Sequence, residues 1–207
     1  AEAEIEYKEK ISKAIYVKFP VLGEDKSIVI WTTTPWTIPC NRAIAYSKNL
    51  NYKILEVRGN TDNTNFIDGE QILICEDLIE EFVEKTKIKE FNIKGDISSE
   101  EIEKIECSHP LKDIGYEDTV KVFPSSHVTS ETGTGFVHIA PNHGLEDFEV
   151  GKKFNIENLP SVSEKGLYTE NIKFFKNQHI YKADDLVIEK LKEYKTIFGI
   201  EEYIHSY

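Results

Sequence analysis

Residues Trp31 to Asn41 read WTTTPWTIPCN. Three consecutive threonines stand between the only two tryptophans of the chain, after the apolar run Ile28-Val29-Ile30, and are stopped by Pro35. Short hydroxyl side chains at a strand end can line a pocket that handles a polar substrate, and they are also ordinary β-branched strand residues. In an extended strand Thr32 and Thr34 project to one face and Thr33 to the other, unless Pro35 disturbs the end. A second constellation, ETGTGFVHIAPNHGLEDFEVG, spans Glu131 to Gly151. Gly133 and Gly135 let the chain bend sharply and let a ligand approach the backbone. Phe136, His138 and Ala140 should share one face of a strand, with Val137 and Ile139 on the other. Pro141-Asn142-His143-Gly144 then forms a strand-to-helix corner. It places Glu146 and Asp147 in the first helical turns, where the positive end of the helix favours a carboxylate. Taken alone, Asp147 reads first as N-terminal charge compensation, and His138 as either a pocket residue or a histidine satisfied at a strand end.

Other chemistries lack their signatures. No Lys-Ser/Thr follows the GTG, and the third glycine of a dinucleotide fingerprint is missing, so it is no phosphate loop. His138 and His143 have no HExxH or Cys/His cluster around them, so no metal site is expected. Ser125, Ser126, His127 and Asp147 supply the letters of a catalytic triad without the GxSxG elbow that presents a nucleophile. Cys40, Cys75 and Cys107 form no CxxC and read as reduced, buried thiols of a cytoplasmic protein.

The elements that must position these residues are mostly strands. Residues 14–19, 28–34, 43–46, 52–57, 71–75, 91–94, 119–123, 135–140 and 197–204 are β-branched or aromatic runs separated by Gly, Pro and Asn. Asp77 with Glu80 three residues on reads as a helix start, followed by an apolar stripe of Leu78, Ile79, Phe82 and Val83. The acidic stretch 96–106 reads as a solvated excursion. Helices are expected at about 143–154 and from about Asp184, the latter with Val187, Leu191 and Tyr194 on one face. The reading is one α+β domain over residues 1–207, a mixed, barrel-like sheet core with peripheral helices. No run approaches the roughly 18 apolar residues of a membrane span. The net charge of −12, from 37 acidic and 25 basic residues, argues against unaided tight binding to nucleic acid. The absence of methionine and the opening AEAEIEYKEK suggest a piece of a longer protein.

Both constellations together resemble the editing insertion, the connective-peptide domain, of isoleucyl-tRNA synthetases in class I. WTTTPWT followed by IPCNRAIA is similar to that family's threonine-rich peptide, and GTGFVHIAPNHGLEDF to its second editing motif. The flanks EYKEKISKAIYVKF and EEYIHSY resemble its entry and exit, so the likeness covers essentially the whole chain. Cys40 stands where the family more often has a small residue such as alanine. The HIGH and KMSKS activation motifs appear nowhere in these residues. The resemblance therefore places the ATP-dependent step, with any ATP, magnesium or zinc, in other parts of the parent enzyme, and no cofactor here.

The resemblance implies hydrolysis of the ester between valine and the terminal ribose of tRNA(Ile), with valyl-adenylate as a second substrate. A pocket built for isoleucine rejects valine by only ~1–3 kcal/mol, this very pair being the usual illustration of the limit, so a second, smaller pocket is needed. By this likeness Thr32, Thr33 and Thr34 contact the terminal adenosine and the scissile region. Asp147 anchors the substrate's ammonium, and His138 limits side-chain size. Trp36 and Asn41 support the wall. No strong general base is evident, so a positioned water assisted by the neighbouring ribose hydroxyl is expected. The implied partners are the valine-bearing acceptor end of tRNA(Ile) and the rest of the synthetase. The competing reading is a non-catalytic module that binds RNA acceptor ends; the acidic balance disfavours it.

Overall fold

The computed structural model describes residues 9–59 and 65–206, so the opening residues 1–8 lie outside the described residues. In chain order the elements are β1 (Glu9–Pro20), β2 (Lys26–Thr32), a 3-10 helix (Pro35–Cys40), β3 (Ala43–Tyr46), β4 (Tyr52–Arg58) and β5 (Gln71–Cys75). After a short 3-10 turn come α1 (Ile79–Lys85), β6 (Glu90–Ile97), α2 (Ser99–Glu103) and β7 (Glu106–Cys107). The remainder is β8 (Val120–Pro124), β9 (Phe136–Ile139), α3 (Leu145–Lys153), α4 (Ile180–Glu193) and β10 (Ile197–Ser206).

The strands form two open sheets, ordered β10-β1-β2-β5-β4-β6 and β7-β8-β3-β9, rather than one closed barrel. Both are mixed: β2 runs parallel to β5 and β3 parallel to β8, while the other pairs are antiparallel. The mixed sheets dressed with helices are the expected α+β class. Alternation along β1 sends Ile15, Val17 and Phe19 into the main core, which α4 closes with Ala183, Val187 and Leu191. Tyr16 faces the opposite side, where Ile79 and Phe82 of α1 and Phe198 of β10 cover it. A third apolar cluster, Ala43, Ala45, Val128, Ile139 and Val150, seats α3 against the smaller sheet.

Several boundaries differ from expectation for local reasons. β2 stops at Thr32 because Pro35 opens a 3-10 helix that cannot continue a ladder. Asp77 is not the helix cap: it lies inside a 3-10 turn at Glu76–Leu78, and α1 begins at Ile79 without a side-chain cap. Residues 96–106 are not a plain excursion. Ser98 and Glu101 form a reciprocal capping box that starts α2, and Ile102 and Ile105 are buried beneath it. α4 starts at Ile180, where the His179 ring accepts the Tyr181 N–H, and Tyr194 falls just past its end. Among the described residues no helix is long and apolar enough to cross a membrane.

The two sheets are tied where residues 133–136 pass between them. Thr134 Oγ1 donates to Val29 O of β2 at 2.5 Å, and Cys75 N of β5 donates to Thr134 O at 2.8 Å. Tyr52 OH donates to Gly135 O at 2.6 Å. Gly135 has φ +84°, and a Cβ there would lie 2.4 Å from Cys75 Cβ. Its small size therefore serves this close crossing of chains rather than the approach of a ligand. Gly135→Ala should cost roughly 2–5 kcal/mol, combining left-handed strain with overpacking, as read from urea denaturation of the 207-residue chain. A change below about 0.5 kcal/mol, within the ordinary range for surface substitutions, would contradict this account of the crossing.

Candidate functional site

The crossing sets the start of β9 beside the end of β2, so the two constellations face each other across one cleft of about 320 Å³. Thr32, Thr33, Thr34 and Thr37 line one side, and Val137, His138, Ala140, His143 and Asp147 the other. Trp31, Thr132, Gly133 and Phe136 complete the lining. Thr33 belongs to the same wall as its neighbours because the strand has ended and the chain bends there. The alternation expected for a continuous strand does not hold.

The threonine wall is internally bonded. Thr34 N donates to Thr32 Oγ1 at 3.1 Å, and the Thr32 and Thr34 hydroxyls are 3.3 Å apart. Thr37 Oγ1 donates to Thr34 O at 2.8 Å and lies 2.8 Å from His138 Nε2. On the other side of the ring, Asn41 Nδ2 is 3.1 Å from His138 Nδ1 and also donates to Ala43 O at 2.9 Å. An amide nitrogen only donates, so Nδ1 must accept and the ring proton sits on Nε2, directed at Thr37 Oγ1. Both nitrogens of this buried histidine are thereby committed. Burial, with His143 as a second and smaller cause, pushes His138 down to about 4. The ring is thus neutral, with its one lone pair accepting from Asn41.

Asp147 reaches the cleft from the first turn of α3. Its Oδ2 accepts the Ala140 N–H at 2.9 Å, which fixes the carboxylate against the end of β9. The side chain is half-buried and makes no ion pair among the described residues. Burial pushes its carboxyl above the usual range, opposed by the Ala140 N–H. An ammonium placed against it would reverse that shift and hold it ionised. Asp147 is thus a half-buried carboxylate with Oδ2 held by the Ala140 N–H.

The two residues expected to support the wall stand behind it. Trp36 does not line the cleft: its ring packs edge-on against His143, centroids 4.9 Å apart, and His143 is the residue that faces inward. Asn41 is buried behind His138 and orients it. Ser125 and His127 do meet, Oγ to Nδ1 at 2.5 Å, but neither lines the cleft. Thr37 is the residue that reading by strand alternation passes over. Its signal was its place in the same WTTTPWT run, hidden by the proline that breaks the periodicity. The three cysteines are free and buried, and burial raises Cys40 and Cys107 to about 12. No group of three or more His, Cys, Asp or Glu that could hold a metal occurs among the described residues.

No protein-family model matches the chain. The isoleucine–tRNA ligase of Pelagibacter ubique (strain HTCC1062) is 38% identical over 213 residues, covering 100% of this chain and 23% of the ligase. The chain thus spans under a quarter of the length of the curated relatives it matches. Among solved structures, GlLeuRS-CP1 superposes with a TM-score of 0.68 at 12% identity, over 93% of this chain and 99% of that one. The editing domain of the P. falciparum cytosolic leucyl-tRNA synthetase gives 0.66 at 10% identity, over 94% and 99%. The chain is homologous over its whole length to isoleucine–tRNA ligases, and it has the fold of leucyl-tRNA synthetase editing domains.

The committed ring of His138 has a pH signature. It titrates near 6.5 in the unfolded chain and at about 4 in the fold. Between these values the unfolded state binds the extra proton, so stability is full above pH 6.5 and falls as the pH drops toward 4. His109, pushed down to about 3 by burial, acts with the same sign. NMR titration should show His138 as the neutral Nε2–H tautomer throughout pH 5.5–8. A midpoint between 6 and 7 would contradict the hydrogen-bond assignment.

Proposed function

We propose that this chain, homologous over its whole length to isoleucine–tRNA ligases, is a hydrolytic editing unit. It cleaves the ester linking valine to the terminal ribose of tRNA(Ile), and it takes valyl-adenylate as a second substrate. The observation that carries the reading is the pairing across one cleft of an uncompensated carboxylate, Asp147, with a run of threonine hydroxyls. An aminoacylated ribose has an ammonium at one end and hydroxyls at the other. It satisfies both walls at once.

In this reading the free oxygen of Asp147 takes the α-ammonium, a charge-assisted hydrogen bond in a half-buried site. Thr32, Thr33 and Thr34 hold the ribose and the scissile region. His138, locked between Asn41 and Thr37, closes the space beside the amino-acid side chain, and steric exclusion of the extra methylene spares isoleucine. With His138 neutral and spent, the water is activated by position and by the neighbouring ribose hydroxyl. Threonine hydroxyls and backbone N–H groups stabilise the developing oxyanion. ATP, magnesium and any zinc are assigned to the rest of the parent ligase, which also supplies most of the grip on tRNA, since this chain carries net charge −12.

Deacylation assays on the parent ligase test the assignment. Asp147→Ala should lower kcat/KM for Val-tRNA(Ile) by roughly ten- to a hundredfold, the worth of a hydrogen bond to a charged group, while amino-acid activation is unchanged. Asp147→Asn should do nearly as badly, because it keeps the shape and drops the charge. Normal turnover by both variants would return Asp147 to helix-terminus charge compensation, and a wild-type unit that binds acceptor ends without turnover would leave only a binding module.

His138→Ala separates the wall from the base. It should let the enzyme attack Ile-tRNA(Ile) while valine hydrolysis survives in part. Collapse of both rates with discrimination intact would instead make His138 the base.

A further inference from the structure

Trp36 lies between Thr34 and Thr37, and its backbone N–H and C=O have a problem set by the sequence. In the 3-10 helix Pro35–Cys40 the first internal bond is Thr37 N to Thr34 O, so the Trp36 N–H has no partner within the helix. Its carbonyl should accept from the residue three positions on, but that residue is Pro39, which has no N–H. Both backbone polar groups of one residue, in a helix whose other residues are all buried, must therefore be satisfied from elsewhere.

They are satisfied from the far end of the chain. Asp184 Oδ1 on α4 accepts the Trp36 N–H at 2.9 Å, and Tyr168 OH donates to Trp36 O at 2.6 Å. These partners are 148 and 132 residues away in sequence. The two partners are themselves joined: Tyr168 N donates to Gln178 O at 3.0 Å, and Ile180 N, the first residue of α4, donates to Gly166 O at 2.9 Å. Tyr168 is 1% exposed, so its hydroxyl cannot turn to solvent.

We propose that Asp184 and Tyr168 are positioning residues for the editing reaction, a clamp on Trp36 that sets where the threonine wall and its Thr37–His138 contact stand. This rests on the hydrolytic reading above. The clamp acts on both walls: through the backbone on Thr34 and Thr37, and through the Trp36 ring on His143. Neither residue lines the cleft, so the clamp alters geometry and not substrate contacts.

The test uses the full-length parent ligase with Tyr168→Phe, Asp184→Ala and Asp184→Asn. Tyr168→Phe removes only the hydroxyl, and Asp184→Asn keeps an acceptor, so both are expected to fold. Hydrogen exchange of the peptide covering residues 34–41 should speed up about tenfold in Tyr168→Phe and Asp184→Ala and stay near wild type in Asp184→Asn. In the same two variants kcat for Val-tRNA(Ile) deacylation should fall about tenfold with KM changed less than about twofold, since positioning acts on the bound complex. Asp184→Asn should retain most activity, and amino-acid activation should be unchanged throughout. Unchanged exchange in Tyr168→Phe overturns the clamp. Faster exchange with unchanged kcat overturns its role in positioning. A wild-type enzyme without deacylation sinks the hydrolytic reading instead, and does so independently of the exchange result.

Discussion

Two stretches some hundred residues apart become one site because the buried polar groups at their junction can be satisfied only by each other. His138 arrives on β9 with two ring nitrogens to place away from water. Thr37 and Asn41, on and just after the 3-10 helix of the first motif, take one each. A buried donor or acceptor left unmade costs about 1–3 kcal/mol, so neither motif can shift without a penalty comparable to a large mutational effect. Thr134 does the same a few residues earlier, closing on Val29 and Cys75. The cleft follows from these bonds.

The same economy separates the chemistry of the two walls. On the threonine side Thr32, Thr34 and Thr37 are bonded to one another, which holds these hydroxyls in a fixed array. The opposite side carries the carboxylate of Asp147. Burial raises the Asp147 carboxyl and the Ala140 N–H orients it, so an incoming cation gains more there than at a solvated surface carboxylate. Fixed dipoles on one side and a half-buried carboxylate on the other suit a ligand polar at both ends.

Much of this was legible in the residues, for identifiable reasons. Continuous apolar runs marked β3 and β5 to the residue, because strands covered on both faces need no alternation. Thr32, Thr34, His138 and Asp147 were visible as two dense polar clusters beside apolar runs. Their meeting was not, since it depends on β2 pairing with β5 and β3 with β8 across long separations. The mixed, barrel-like sheet core was legible as a class, and that it stays open as two sheets was not, because strand content is local and sheet closure is not. α2 was hidden by its acidic composition, although Ser98 and Glu101 spell its cap. Thr37 was hidden by Pro35, which ends the period of two. Trp36 and Asn41, expected to support the wall, stand directly behind His143 and His138, although burial behind a wall and exposure in it look alike in a motif.

The central claim is that Asp147 and the threonine run grip the two ends of one aminoacyl-ribose. A crystal structure of this chain with a non-hydrolysable valyl-adenosine analogue, the ester replaced by an amide, tests it most directly. The account predicts the analogue's ammonium within hydrogen-bond distance of Asp147 Oδ1, its ribose against Thr32–Thr34, and the valine methyls against the His138 ring. An analogue seated with its ammonium away from Asp147, or bound outside this cleft at saturating concentration, would contradict it.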